Sequence, residues 1–180
     1  MSENRPNVRL LALLCCIAAA TMLITAQVNA GPNSETAEAG SEAKAFEGTG
    51  FTQDPCSLLT NAEVSQQLGR QVLAVPNPDH QPMCEWTSDG KPGLDTAAFL
   101  EYQKENSRFH LDVIRDLKRP KPGPGVQRFD IGDGALLNAA RGEINVLVGG
   151  ATFRIGSGGS TPISEDALVN LARLALPRAH

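Results

Sequence analysis

The sequence has no G-x-S-x-G nucleophile elbow, no glycine-rich loop closed by a phosphate-binding Lys, and no Cys/His spacing of a common zinc site. "IGSGGST" (155–161) has the glycines but neither the elbow spacing nor the Lys, and reads as a connector. "DIGDG" (130–134) lacks the alternating oxygen ligands of a calcium loop and reads as a turn into the next strand. Histidine is scarce: His80, His110 and the terminal His180 are all there is. A nucleophile, a base and an orienting group that converge are therefore not visible. No short-period repeat is present either. Positive charge is in deficit, with 16 Lys and Arg against 20 Asp and Glu.

The first thirty residues explain part of the composition. Arg5 and Arg9 precede an uncharged, mostly apolar stretch from Leu10 to Ala26, and "VNA" (28–30) forms a small-x-small cleavage signal before Gly31. Residues 1–30 are expected to be a signal peptide; an uncleaved N-terminal anchor is the alternative, the apolar run being at the short limit of a span. Leu14 before Cys15 is not the small residue that bacterial lipidation requires. Cleavage takes away Arg5, Arg9 and Glu3, so 14 of the 16 cations and 19 of the 20 anions remain, for a net charge of −5. An acidic surface argues against nucleic acid and against anionic membranes as partners.

Residues 31–50 are rich in Gly, Ser, Ala, Glu and Thr and are expected to be a flexible tether. Residues 51–178 are of single-domain size. "TNAE" (60–63) is a capping box, with Leu58, Leu59, Val64 and Leu68 as an apolar stripe and Gly69 as terminator. A helix near 58–68 follows, then strands near 71–75, 83–87 and 96–102. Phe109, Val113 and Leu117 mark a second helix, 103–117, that stops at "KRPKPGPG". Ser164 caps a third over 164–176, with Leu168, Leu171, Ala172 and Ala175 on its buried side.

Between the last two helices lie three strands, 135–140, 143–148 and 151–156, joined by turns at Arg141-Gly142 and Gly149-Gly150. Pairing through two-residue turns sets Ala139, Leu137 and Ala135 opposite Ile144, Val146 and Val148. The last three then face Ile155, Phe153 and Ala151. All nine are apolar and on one face, and a one-residue slip would invert them. On the other face Asn138 meets Asn145, Asn145 meets Arg154, and Leu136 meets Leu147. The expected class is α+β: one mainly antiparallel sheet with helices on one face.

Chemistry-bearing residues are few. Cys56 and Cys84 are the cysteines left after cleavage; an oxidising compartment and an even count favour a disulfide between them. A metal site from Cys56, His80, Cys84 and His110 matches no common spacing. His110 borders the apolar stripe of its helix and reads as a half-buried helix-face residue. The cations Arg115, Lys118, Arg119, Lys121 and Arg128 read as a solvated helix end and linker. Leu136, Asn145, Leu147 and Arg154 form a candidate binding face, because an exposed Leu pair on a sheet is a place to look for a partner; a helix over that face is the other explanation.

"DPCSLLTNAEVSQQLG", the later "CEW" (84–86), "IGDGALL", the glycine-separated strand pair and the closing "LARLAL" together resemble one family. It is domain-of-unknown-function family 3558, small exported proteins, mainly actinobacterial and commonly lipoproteins. The likeness spans roughly residues 54–176. This chain departs from it in lacking a lipid-attachment context at its cysteines. The resemblance implies a disulfide-stapled envelope module and no catalytic residues.

The expected function is thus an exported, non-catalytic binding or interaction module with no cofactor or metal. Its partner would be a protein or small ligand of the cell envelope, not nucleic acid, and it would touch a membrane only through an uncleaved N-terminus. The alternatives are a small extracytoplasmic hydrolase using His110 or His80, or an inhibitor of an exported enzyme. Thiol titration of the exported protein, unfolded without reductant, should find almost no free thiol if Cys56 and Cys84 are joined. Cys84→Ser should then cost about 3–4 kcal/mol of stability, read as a lower melting temperature.

Overall fold

Seven antiparallel strands form one sheet in the computed structural model of the chain, which describes residues 48–77, 82–93 and 95–179. The expected signal peptide, most of the tether, His80 and His180 lie outside the described residues. The strands are β1 (Leu73–Asn77), β2 (Met83–Thr87), β3 (Thr96–Gln103), β4 (Val126–Phe129), β5 (Gly134–Asn138), β6 (Glu143–Val148) and β7 (Ala151–Gly156). Their order across the sheet is β1-β2-β3-β7-β6-β5-β4, two meanders joined where β3 pairs with β7. Helices α1 (Asn61–Leu68), α2 (Arg108–Lys118) and α3 (Glu165–Ala175) complete an α+β fold. No helix among the described residues is long and apolar enough to cross a membrane.

The stretch before α1 is a chain of caps. Asp54 accepts from the Cys56 N–H at 2.7 Å and Pro55 opens a 3-10 turn, Pro55–Ser57. Leu58 and Leu59 then plunge into the core, and Thr60 restarts the helix with the expected reciprocal bonds to Glu63. The first helix therefore begins at Asn61 and not at 58, because a capping residue holds extended backbone (Thr60 ψ 156°). The second begins at Arg108 and not at 103: Gln103 still pairs in β3, and Ser107 is the cap. The Cys56–Cys84 disulfide is present, spanning 28 positions and joining this segment to β2. Trp86, two residues on from Cys84, is fully buried in the same core. The domain also begins earlier than composition suggests. Thr49 is buried, Gly48 accepts from the Glu105 N–H, and Phe51 stacks on Tyr102 at 4.2 Å.

The C-terminal meander keeps its faces but changes its register. Val146 faces Phe153, Ile144 faces Ile155 and Asn145 faces Arg154, as expected. In the first hairpin, however, Leu137 faces Ile144 and Ala135 faces Val146, a shift of two residues. Asn138 is the cause: its main-chain and side-chain oxygens both accept from the Arg141 N–H, so the turn consumes residues 139–142. A two-residue shift preserves inward and outward parity, so eight of the nine apolar residues stay buried, while Ala139 passes into the turn and is exposed. It does move Leu136 from Leu147 to Asn145.

Helices cover both faces of the sheet, which corrects the expectation of one. α3 lies over the core face, burying Leu168, Leu171, Ala172 and Ala175 with Trp86, Tyr102, Phe153, Ile144 and Ile155. α2 belongs to the connection from β3 to β4, which must pass over β7, β6 and β5, and it does so across the opposite face. There His110 Nδ1 lies 2.9 Å from Thr152 Oγ1, and Leu117 rests against Gly134, where a Cβ would sit 2.9 Å from its methyl. "DIGDG" is a turn: Asp133 N–H donates to the Leu147 carbonyl, and at Gly132 (φ +62°) a Cβ would come within 2.5 Å of that oxygen.

The β1 edge is closed by α1. Ser65 Oγ accepts from the Val72 N–H at 3.0 Å, Asn61 Oδ1 accepts from the Ala74 N–H at 2.8 Å, and Pro76, next in that outward row, has no N–H. At the other end of the chain, Arg178 donates to both carboxylate oxygens of Glu63 at 2.7 and 2.8 Å and to the Leu58 carbonyl at 2.9 Å. The Arg178 guanidinium, helped by Thr60, holds the Glu63 carboxyl down to about 2 against the opposing effect of burial. A depressed carboxylate stabilises above its unfolded pKa near 4.5 and loses that contribution as pH falls toward 2. Glu63→Gln keeps a capping acceptor but removes the ion pair. It should cost about 1–2 kcal/mol at pH 7, allowing for solvent screening, and the gap from wild type in urea unfolding should close between pH 4.5 and 2.

Candidate functional site

The face beneath α2 is built by strand alternation. With Ile144, Val146, Phe153 and Ile155 turned to the core, Glu143, Asn145, Thr152 and Arg154 must point the other way, as must Phe99 and Glu101 on β3. Arg154 occupies the centre. Its Nε and Nη2 donate to Glu101 Oε2, and its Nη1 donates to Glu143 Oε2 at 3.2 Å. Its guanidinium carbon lies 5.0 Å from the centroid of the Phe99 ring and 5.2 Å from that of Phe109. One cation thus joins β3, β6, β7 and α2, with both carboxylates largely buried. Arg154 is a structural centre and not an exposed contact residue.

The other residues of the expected binding face fare differently. Leu136 is buried under α2, facing Asn145 across the strands, while Leu147 is partly exposed and faces Gly134. The exposed leucine pair therefore does not exist: the register of β5 and β6 separates the two residues, and Leu136 is buried. Asn145, between Leu136 and Arg154 in one cross-strand row, is 5% exposed, and its Oδ1 has no hydrogen-bond partner among the described residues. A buried amide oxygen in that condition costs about 1–3 kcal/mol.

A cleft of about 200 Å³ opens beside it, between α2 and strands β4, β5 and β6. Phe109, Val113, Leu136 and Val126 give it apolar walls; Glu143 and Asn145 lie inside it, and Asp112, Asp116, Arg115 and Arg141 also line it. Arg115 pairs with Asp112 at 2.7 Å, and Arg119 with Asp116 at 3.2 Å. Arg128 donates to the carbonyls of Asp116 and Arg119, which caps the C-terminal end of α2 and accounts for part of the cationic run. Two other clefts are lined in part by polar groups already engaged. In the one along Asn61, Ser65 and Leu73, the Asn61 and Ser65 side chains seal the β1 edge, and the one beside Gln67 and Ser164 holds an amide bonded to Asn170 and a helix cap.

His110 is buried, bonds Thr152 and not a carboxylate, and does not line the α2 cleft. Cys56 and Cys84 are occupied by their disulfide, and no group of three or more His, Cys, Asp or Glu among the described residues is placed to hold a metal ion. The sequence reading missed Glu101, Glu143 and Phe99. A signal was there: opposite charges at outward positions of adjacent strands pair across a sheet.

Arg154→Ala should cost about 3–5 kcal/mol, because it leaves two carboxylates buried without their cation. Replacing the group by Met together with Glu101→Gln and Glu143→Gln should recover part of that loss in urea unfolding. Comparison with protein-family models, with curated proteins and with solved structures finds no match, so the function is read from this chain's own geometry.

Proposed function

We propose that this is an exported, non-catalytic binding module of the cell envelope, and that its ligand or partner engages the cleft between α2 and β4–β6. The observation that carries the reading is Asn145: it lines the cleft, and its buried Oδ1 has no partner among the described residues. Native proteins rarely leave such a group unmet. The N-terminal charge and hydropathy pattern supports export, and the disulfide agrees with an oxidising compartment. The "DPCSLLTNAEV" opening with its later "CEW" supports a place beside domain-of-unknown-function family 3558. A hydrolase is less well supported, since His110 has a hydroxyl partner and lies outside the cleft.

The exported, disulfide-bonded protein, labelled with ¹⁵N, should be titrated with small sugars, organic acids, amines and amino acids. Saturable chemical-shift changes confined to α2, β5 and β6 are the expected result. Binding that shifts only other regions would move the site. Turnover of an ester or amide reporter that disappears in His110→Ala would replace the binding reading with catalysis.

A further inference from the structure

We propose that the α2 cleft takes a cationic end group, an alkylammonium or guanidinium, that donates a hydrogen bond to Asn145 Oδ1 beside the Glu143 carboxylate. The inference rests on the cleft being the binding site, as read above, and adds the chemistry of its guest.

The charge changes with depth. The exposed charges of the cleft are mixed, with the side chains of Arg115 and Arg141 56% and 64% exposed and those of Asp112 and Asp116 41% and 32%. Less exposed than these is Glu143, whose side chain is 8% exposed, with Asn145 two residues further along β6 and on the same face. A guest that enters passes exposed charges of both signs, paired with one another and screened by water, and meets the buried acceptors.

Those acceptors carry surplus negative charge. Arg154 is shared between Glu101 and Glu143, so two largely buried carboxylates are served by one guanidinium. Arg141 approaches Glu143 at 3.7 Å from an exposed position, which offsets little. Buried charge calls for a counter-charge, and a cation in the cleft would supply one while donating to Asn145. A neutral hydroxyl would meet the amide and leave the charge; an anion would face Glu143 directly.

Size and walls fit an end group. The cleft's 200 Å³ is below the roughly 300–1,000 Å³ of a site that encloses a whole small molecule. Val113 and Leu136 offer apolar surface to a methylene stem. A free amine and a Lys or Arg side chain of a peptide share this chemistry.

The test uses the exported protein at fixed ionic strength, titrated by NMR with butylammonium, butanol and butyrate. Butylammonium should saturate shifts of the Asn145 side-chain amide and its β5 and β6 neighbours about tenfold more tightly than butanol, with butyrate giving none. Asn145→Leu should weaken butylammonium about tenfold, and Glu143→Gln provides a second variant should the first fail to fold. Diaminobutane compared with backbone-blocked lysine and arginine then separates a free amine from a peptide side chain. Equal binding of butanol and butylammonium, or full affinity in folded variants, overturns the cationic guest and leaves the cleft as a binding site. If no solute of any charge shifts these residues, the cationic guest and the binding cleft both fall.

Discussion

The guanidinium of Arg154 is the interaction on which the covered outer face depends. A sheet face packed under a helix is normally apolar, yet this one has Glu101, Glu143 and Arg154 at its middle. It tolerates them because every N–H used is directed at a carboxylate and the cation also lies over two aromatic rings, Phe99 and Phe109. A lysine would carry the charge but not the planar fork or the stacking. α2 is held by that ring contact, by His110 to Thr152, and by Leu117 lying on Gly134. The cleft exists because α2 is tethered at polar points and so does not close over β4–β6 as a flat apolar helix would.

The two faces use different means of cohesion. The core face relies on volume: large side chains such as Trp86, Tyr102 and Phe153 share one apolar core with Leu168, Leu171, Ala172 and Ala175 of α3. The segment before α1 lacks the length to bury much on its own, and it is fixed at two places, by Cys84 through the disulfide and by Arg178 through Glu63 and the Leu58 carbonyl. Chain start and chain end of the domain are thereby joined through one helix cap.

What could be read from the sequence follows from the range of each interaction. Capping boxes, helix stops and the parity of the last three strands are encoded within a few residues, and Thr60, Ser164 and the Ile144–Ile155 pairing were legible. The disulfide was legible because the expected export and signal cleavage left one pairing of cysteines. The length of the turn after Asn138 was not, since it depends on whether a side-chain oxygen competes for the Arg141 N–H. The side on which α2 packs was also hidden: its stripe of Phe109, Val113 and Leu117 is equally suited to either face. Only the strand order, a non-local property, sends it across β7, β6 and β5. The site depends on that same crossing, for Arg154 and Glu101 are 53 positions apart.

Consider finally the unequal margins of the sheet. Ser65, Asn61 and Pro76 leave β1 with no free outward donor from 72 to 76, whereas among the described residues no helix side chain bonds the outer backbone of β4, which is four residues long. Growth of a cross-β array requires each unit to be a template at both ends. A molecule with one sealed margin is a terminator: two copies meeting β4 to β4 would present sealed β1 margins outward, and the array would end at the pair.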